Sequence, residues 1–286
     1  MPVNHTTQQI KLLFRRFNKI HANNAFPNPS ALSAMLNNEV DKAKASGNDE
    51  FHINEQGASY FATAAVEMWQ RAVHSFLISA SLTKASPIWS SVSGYYSSHY
   101  TIRAFAHLFG YFLLYRKNKC SVELNISAGS YTCKINTKSL DDSEHKFYWK
   151  KTKANSLLFD NSFYTINDRN LSISDSAHRN KANYHDHLDR FPQFQILDNE
   201  TLKQRVNIIS TMPLYDAPIP DADVYPDLES VQLIAYYRLA NFRMILDDII
   251  RPNKFWDVQR NPTWCPDYLK FQLANEELIT AYKELL

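Results

Sequence analysis

The order of apolar and polar positions divides the chain into a helical first part, a strand-like middle and a helical end. From Thr7 to Ile20, the residues Ile10, Leu13, Phe14 and Phe17 recur at helical spacing before Pro27 and Pro29 break the run. Ser30 is placed to cap a second helix that passes through Met35 and Val40 and stops at Gly47. After Gly57, the residues Phe61, Ala65, Met68, Trp69, Ala72, Val73, Phe76 and Leu77 form a broad stripe on a long helix. Pro87 opens another long helix, expected to run through Tyr115. Two long helices so close in sequence predict an antiparallel hairpin.

The pattern changes at residue 119. CSVELNIS, SYTCKINT, HKFYWKK, NSFYTIN and LSIS are short, β-branched or aromatic, partly alternating runs, which predict a β-meander. Helical spacing then returns. Ser174 or Ser176 can cap a helix that ends near Phe191 and Pro192, and another covers Asn199 to Ser210. The proline-rich loop MPLYDAPIPDADVYPD follows, then a helix capped by Asp227 and a last one from Asp267 to Leu286. The expected architecture is mainly α, a helical bundle with an inserted small β-meander, α+β taken as a whole. Its segments are N-terminal helices (1–55), a first helical hairpin (56–118), a β-rich insertion (119–175) and the remaining helices (176–286).

Composition narrows the chemistry. Hydrophobic residues make up 44% and aromatics 13%, enough for a folded core in 286 residues. With only 5 glycines and neither GxGxxG nor GxxxxGK[ST], the glycine-rich nucleotide-binding folds lack their raw material. Lys plus Arg is 31 against 29 for Asp plus Glu, so any basic surface must be local. The best local stretch runs from Lys134 to Lys153, where Lys146, Trp149, Lys150 and Lys151 are candidates for binding nucleic acid by stacking and phosphate contact. The same stretch also reads as an exposed β-hairpin with alternating lysines. Cys120, Cys133 and Cys265 form neither a CxxC pair nor a disulfide framework. The start, MPVNHTTQQIKLLFRRF, lacks a signal-peptide layout, and His99, Arg103 and His107 interrupt the most apolar run, so a cytoplasmic protein without a membrane span is expected.

Of ten histidines, three fall within HRNKANYHDHLD, residues 178–189. On a helix, Arg179, Asn183 and Asp186 share a face, as do His178, His185 and Asp189, while Arg179 and His185 point about 120° apart. Three readings follow. The plainest is an exposed polar helix face with an Arg179–Asp186 pair. The second is a metal site. His185, His187 and Asp189 match the opening of the metallo-β-lactamase HxHxDH motif, but Arg190 stands where a ligand is needed and the composition does not suit that fold. The pair His185-Asp186 is also similar to the centre of an HD-type metal phosphohydrolase site, which sits in an all-helical fold.

The third reading is metal-free phosphodiester chemistry. The run Arg179-Asn180-Lys181-Ala182-Asn183-Tyr184-His185 resembles R[NDH]x4-6H, the motif of the HEPN superfamily, which includes toxin ribonucleases and nuclease domains of RNA-targeting CRISPR effectors. Arg15 and Arg16 lie at a similar spacing from His21, but only Arg179 is followed by the polar residue the motif requires. The resemblance covers roughly 56–118 and 175–251, and SVSGYYSSHYTIRAFAHLFG is similar to the second long helix of that family. The β-rich insertion is a departure. So is His187, which stands where a variant of the motif carries a tyrosine that is adenylylated.

The resemblance implies an endoribonuclease of the toxin or anti-phage kind, without cofactor or metal, that leaves 2′,3′-cyclic phosphate ends. It implies a homodimer with a composite cleft, and an antitoxin or other regulatory partner beside the RNA. His185 would act as acid or base, Arg179 would stabilise the phosphorane and Asn180 would orient, with Tyr184 and His187 as secondary candidates. His99 and Arg103, with His107 one turn on, form a polar stripe on an apolar helix, which is a satisfied network, a dimer seam or the opposite wall of the cleft. A HEPN-like module that binds RNA or protein without cleaving it remains the non-catalytic alternative.

Overall fold

The computed structural model describes residues 31–82, 86–116, 119–127, 130–136 and 144–154, together with Ile10, Leu12, Leu13 and eight helical residues between 231 and 243. The described residues are mostly helical with one small antiparallel sheet. The elements are α1 (Ala31–Ala45), β1 (Glu50–Ile53), α2 (Glu55–Leu82), α3 (Pro87–Leu108), β2 (Tyr111–Leu114), β3 (Cys120–Ser127), β4 (Ser130–Asn136) and α4 (Glu144–Ala154). None of the described helices is long and apolar enough to cross a membrane. The chain divides into two compact units. One holds Met1–Met68, Ile102–Leu158 and Asp247–Val258, and the other holds Trp69–Thr101, Phe159–Leu246 and Gln259–Leu286.

In the first unit, Leu32, Leu36, Val40 and Ala43 form the buried stripe of α1. The helix ends where expected. Gly47 takes a φ of 71°, its N–H bonds to Lys44 O, and Asn48 N–H reaches back to Ala43 O. Asn54 then caps α2 by accepting the Gly57 N–H at 2.9 Å, so the helix starts at Glu55, just ahead of the Gly57 boundary expected from sequence.

The sheet has the order β1-β4-β3-β2, antiparallel throughout. Consecutive strands β2, β3 and β4 form the meander, and β1 joins its far edge. Two of these strands are corrections to the sequence reading. Residues 111–114 leave the expected long helix as β2, and residues 50–53, within the N-terminal segment but past the helix stop at Gly47 and given no element of their own, supply β1. A third correction concerns HKFYWKK, expected as a strand or exposed hairpin, which belongs to helix α4. Its buried residues Phe147, Tyr148 and Thr152 recur at helical spacing, and the helix face outweighs the β propensity of the aromatics. NSFYTIN and LSIS lie outside the described residues, as do the caps Ser30, Ser174, Ser176 and Asp227.

Alternation along the strands sorts the two faces. Phe51, Cys133 and Leu124 pair across one row, and Phe112, Val122 and Ile135 across the next, all buried. Helix α1 packs on both β1 and β2, the two edges of the sheet. On the opposite face Glu50, Lys134 and Glu123 alternate in sign across the strands, which favours each neighbouring pair. Cys120 and Cys133 are buried free thiols on β3 and β4, and burial pushes Cys133 up to about 12.

The second unit holds the later part of α2 and the earlier part of α3. Every residue of the predicted stripe on α2 that falls here is buried, from Trp69 through Leu77. Trp69 stacks on Phe242, Phe76 packs on Tyr236, and Gln232 reaches Ser79. These contacts run in opposite senses along the two segments, so the helical residues at 231–243 lie antiparallel to α2. Beside the connection between α2 and α3, Ser79 Oγ donates to Ser90 O at 2.7 Å, Ser90 Oγ donates to Ser79 O at 2.5 Å, and the Gln232 amide donates to both hydroxyls. Gly94 allows this approach, since a Cβ there would sit 2.9 Å from Val231.

Helix α3 stops at Leu108 because Phe109 and Gly110 turn the chain. Gly110 has a φ of 83°, and an added Cβ would lie 2.7 Å from Leu124 O, against the strand that accepts β2. Gly47, with similar φ, has open space around the same position. Gly47→Ala is therefore expected to cost about 1–2 kcal/mol in chemical denaturation. Gly110→Ala should cost about 1–3 kcal/mol more; equal losses at the two positions would contradict this account of the turn.

Candidate functional site

The last two turns of α3 carry Ile102, Ala104, Phe105, Ala106 and Leu108, all buried, so the remaining face belongs to Arg103 and His107. His107 is 1% exposed. Its Nδ1 lies 2.9 Å from Tyr111 O. A carbonyl only accepts, so Nδ1 carries the hydrogen and Nε2 accepts from Arg103 Nε at 3.4 Å. Burial first, and then the Arg103 charge, lower the imidazole to about 3 against the opposing pull of the carbonyl. His107 is thus a neutral, fixed ring, stacked on Phe112 and edge-on to Tyr148.

Arg103 is positioned by these neighbours. Besides the His107 contact, its guanidinium lies 5.2 Å from the centre of the Tyr148 ring, a cation–π distance. Its Nη1 then meets Glu144 Oε1 at 2.5 Å. The other carboxylate oxygen accepts from Tyr115 Oη, also at 2.5 Å. Burial, followed by the bond to Glu144 and its charge, pushes the Tyr115 hydroxyl well above its ordinary range, which keeps it a donor. One carboxylate is therefore held at both oxygens by donors from α3 and the end of β2.

Helix α4 is docked by further bonds. Tyr148 Oη accepts the Leu113 N–H at 3.2 Å, satisfying a backbone donor of edge strand β2. Burial pushes the Tyr148 hydroxyl up to about 12. Thr152 Oγ1 donates to Ile102 O at 3.2 Å, and Lys151 sits 4.7 Å above the Tyr111 ring and 3.6 Å from Glu123.

The residues singled out from sequence are distributed as follows. Arg179, Asn180, Tyr184, His185 and His187 lie outside the described residues. His99 is on α3 in the second unit, 2% exposed, parallel to Tyr95 and flanked by Tyr96 and Tyr100. Arg103 and His107 belong to the network just described. Of the four candidates on α4, Lys146 and Lys150 are exposed one turn apart, Trp149 is half-buried, and Lys151 is turned towards Glu123 and Tyr111. Sequence reasoning missed Glu144, Tyr115 and Tyr148. Glu144 is 41 residues from Arg103, so no local spacing connects them.

Chemically, His107 has both nitrogens engaged and no access to water, which does not suit proton transfer. What the cluster can do is hold an oxyanion against Arg103 and Tyr115. Among the described residues, no group of three or more His, Cys, Asp and Glu is placed to hold a metal. The chain matches no protein-family model, no curated protein and no solved structure. Function must therefore be argued from its own residues.

The folded protein keeps His107 neutral down to about pH 3, whereas in the unfolded chain the ring takes up its proton near 6.5. The stability this residue contributes is complete above pH 6.5 and is lost as pH falls toward 3. Urea midpoints between pH 7 and 4 should fall less steeply for His107→Gln than for the wild type, from a lower starting value; parallel curves would exclude His107 as the buried neutral group. A double-mutant cycle on Arg103→Ala and Glu144→Ala should give a coupling of about 1–3 kcal/mol, and a coupling near zero would show the pair to be incidental.

Proposed function

We propose that this chain is a HEPN-type endoribonuclease that cleaves RNA without a metal ion and acts as a toxin or anti-phage effector. The observation that carries the reading is the spacing of Arg179, Asn180 and His185 behind two long helices. Support for that context comes from α2 and α3, which are long helices, and from the helical residues at 231–243 packed antiparallel to α2, as a bundle requires.

In the proposed reaction a histidine takes the proton of the 2′-hydroxyl. The 2′-oxygen attacks phosphorus, the P–O2′ bond forms, and the P–O5′ bond breaks through a pentavalent phosphorane. Arg179 supplies a planar fork to the phosphorane oxygens, and Asn180 orients the group. The leaving 5′-oxygen takes a proton from a second acid, for which a homodimer offers a second copy of His185 facing the first. Histidine titrates in the range both transfers need. An antitoxin or regulatory partner would account for restraint of such an enzyme in its cell. That biological role rests on the resemblance to the family.

The test is incubation of the purified chain with total RNA in excess EDTA, wild type beside Arg179→Ala and His185→Ala. Cleavage by the wild type, with 2′,3′-cyclic phosphate ends and a loss of at least about 100-fold in either variant, is the expected result. Phosphate release that appears only when Mn is supplied would overturn it in favour of an HD-type phosphohydrolase. RNA or protein binding by the wild type without cleavage, unchanged in His185→Ala, would overturn it in favour of a binding module.

A further inference from the structure

The carboxylate of Glu144 occupies a seat that is built without it. Arg103 is fixed from two sides by groups other than Glu144, the bare Nε2 of His107 and the ring of Tyr148. His107 is in turn fixed by the Tyr111 carbonyl, and Tyr148 by the Leu113 N–H. The guanidinium edge thus keeps its place whether or not a carboxylate fills the seat, and the Tyr115 hydroxyl meets the same carboxylate from the other side. Preorganised donors of this kind lose little freedom on taking a ligand.

The present occupant, Glu144, is the first residue of α4, while the buried residues of the helix, Phe147, Tyr148 and Thr152, lie further along. The bonds of Tyr148 to Leu113 and of Thr152 to Ile102 do not involve that carboxylate. Its side chain is 24% exposed and that of Arg103 is 22%, so the seat opens to solvent. Arginine's fork fits a phosphate as well as a carboxylate, and a dianionic phosphate offers more charge and a third oxygen. Beside it Tyr115, 56% exposed as a residue, offers an aromatic ring on which a base can stack.

We propose that Arg103 and Tyr115 form a recognition site for a terminal phosphate of a nucleotide, with Glu144 as its resident stand-in. The site lies within the first unit and does not depend on the cleavage chemistry assigned to Arg179 and His185. The ligand is either a free nucleotide or the 5′-phosphate end of an RNA, and displacement of Glu144 is the event that admits it.

Binding of three probes to the full chain tests this: AMP, a 5′-phosphorylated oligoribonucleotide and the same oligonucleotide with a 5′-hydroxyl, each measured in EDTA on a His185→Ala background so that no probe is consumed. Glu144→Gln should bind the phosphate-bearing probes about tenfold tighter than its parent. Adding Arg103→Lys, which keeps the charge and removes the fork, should abolish most of that gain, and adding Tyr115→Phe should reduce it. A gain for AMP identifies a free nucleotide as the source, and a gain confined to the 5′-phosphorylated oligonucleotide identifies an RNA end. No gain in a Glu144→Gln variant that melts like its parent would overturn the proposal, as would an equal gain for the 5′-hydroxyl probe or a gain that survives Arg103→Lys. If Glu144→Gln does not fold, Glu144→Asp, whose carboxylate is retracted by one methylene, gives the same comparison. The parent itself must then show weak binding of at least one phosphate-bearing probe that Arg103→Lys removes.

Discussion

At Gly110 the backbone turns with a positive φ, pressed against the carbonyl of Leu124, and much of the first unit follows from that turn. It ends α3 one residue after His107 has reached its buried position. It then sends Tyr111 back so that its carbonyl receives the His107 hydrogen, and lays residues 111–114 against β3. A side chain at this position would push the strand away from its partner. The imidazole would lose its acceptor, and Arg103 would lose the neutral nitrogen that orients it. A local restriction on one dihedral angle thereby propagates to Arg103, about two helical turns back along the chain.

The elements most legible in the sequence were those whose residues all face one neighbour. The stripe on α2, the stop at Gly47, the start of α3 at Pro87 and the alternating runs of β3 and β4 each repeat one period over several residues, and the structure places each close to its expected bounds. The misreadings share a cause. YFLL follows an apolar helix without a proline and continues its hydrophobicity, so nothing local marks the change from helix to strand; the deciding contact is pairing with CSVELNIS further along the chain. EFHI is four residues long and takes its identity from β4, some eighty positions away. HKFYWKK has a strand-like composition, yet the buried positions at 147, 148 and 152 match a helix that rests on the edge of the sheet.

For the polar cluster the division is similar. The spacing of His99, Arg103 and His107 on an apolar helix announced that polar groups had to find partners, and the structure supplies Arg103 and His107 with a satisfied network. The partners themselves came from Tyr115, Glu144 and Tyr148, whose contribution depends on how the sheet folds α4 back towards α3. Composition could place a cation on a buried face but not name the acid that meets it. On α4 the opposite happened: four residues expected to act together are split by helical geometry, with Lys146 and Lys150 outward and Lys151 drawn inward by Glu123 and the Tyr111 ring.

The two thiols inside the sheet have a different consequence. Cys120 and Cys133 sit on neighbouring strands, fully enclosed, and burial holds both sulfurs in the protonated, unreactive form. An alkylating reagent reaches them only when the buried face of the sheet is uncovered, so the pace of their labelling in the native protein is set by local opening of that face. The molecule thus carries a built-in clock for opening of its first unit, read by mass rather than by any optical probe.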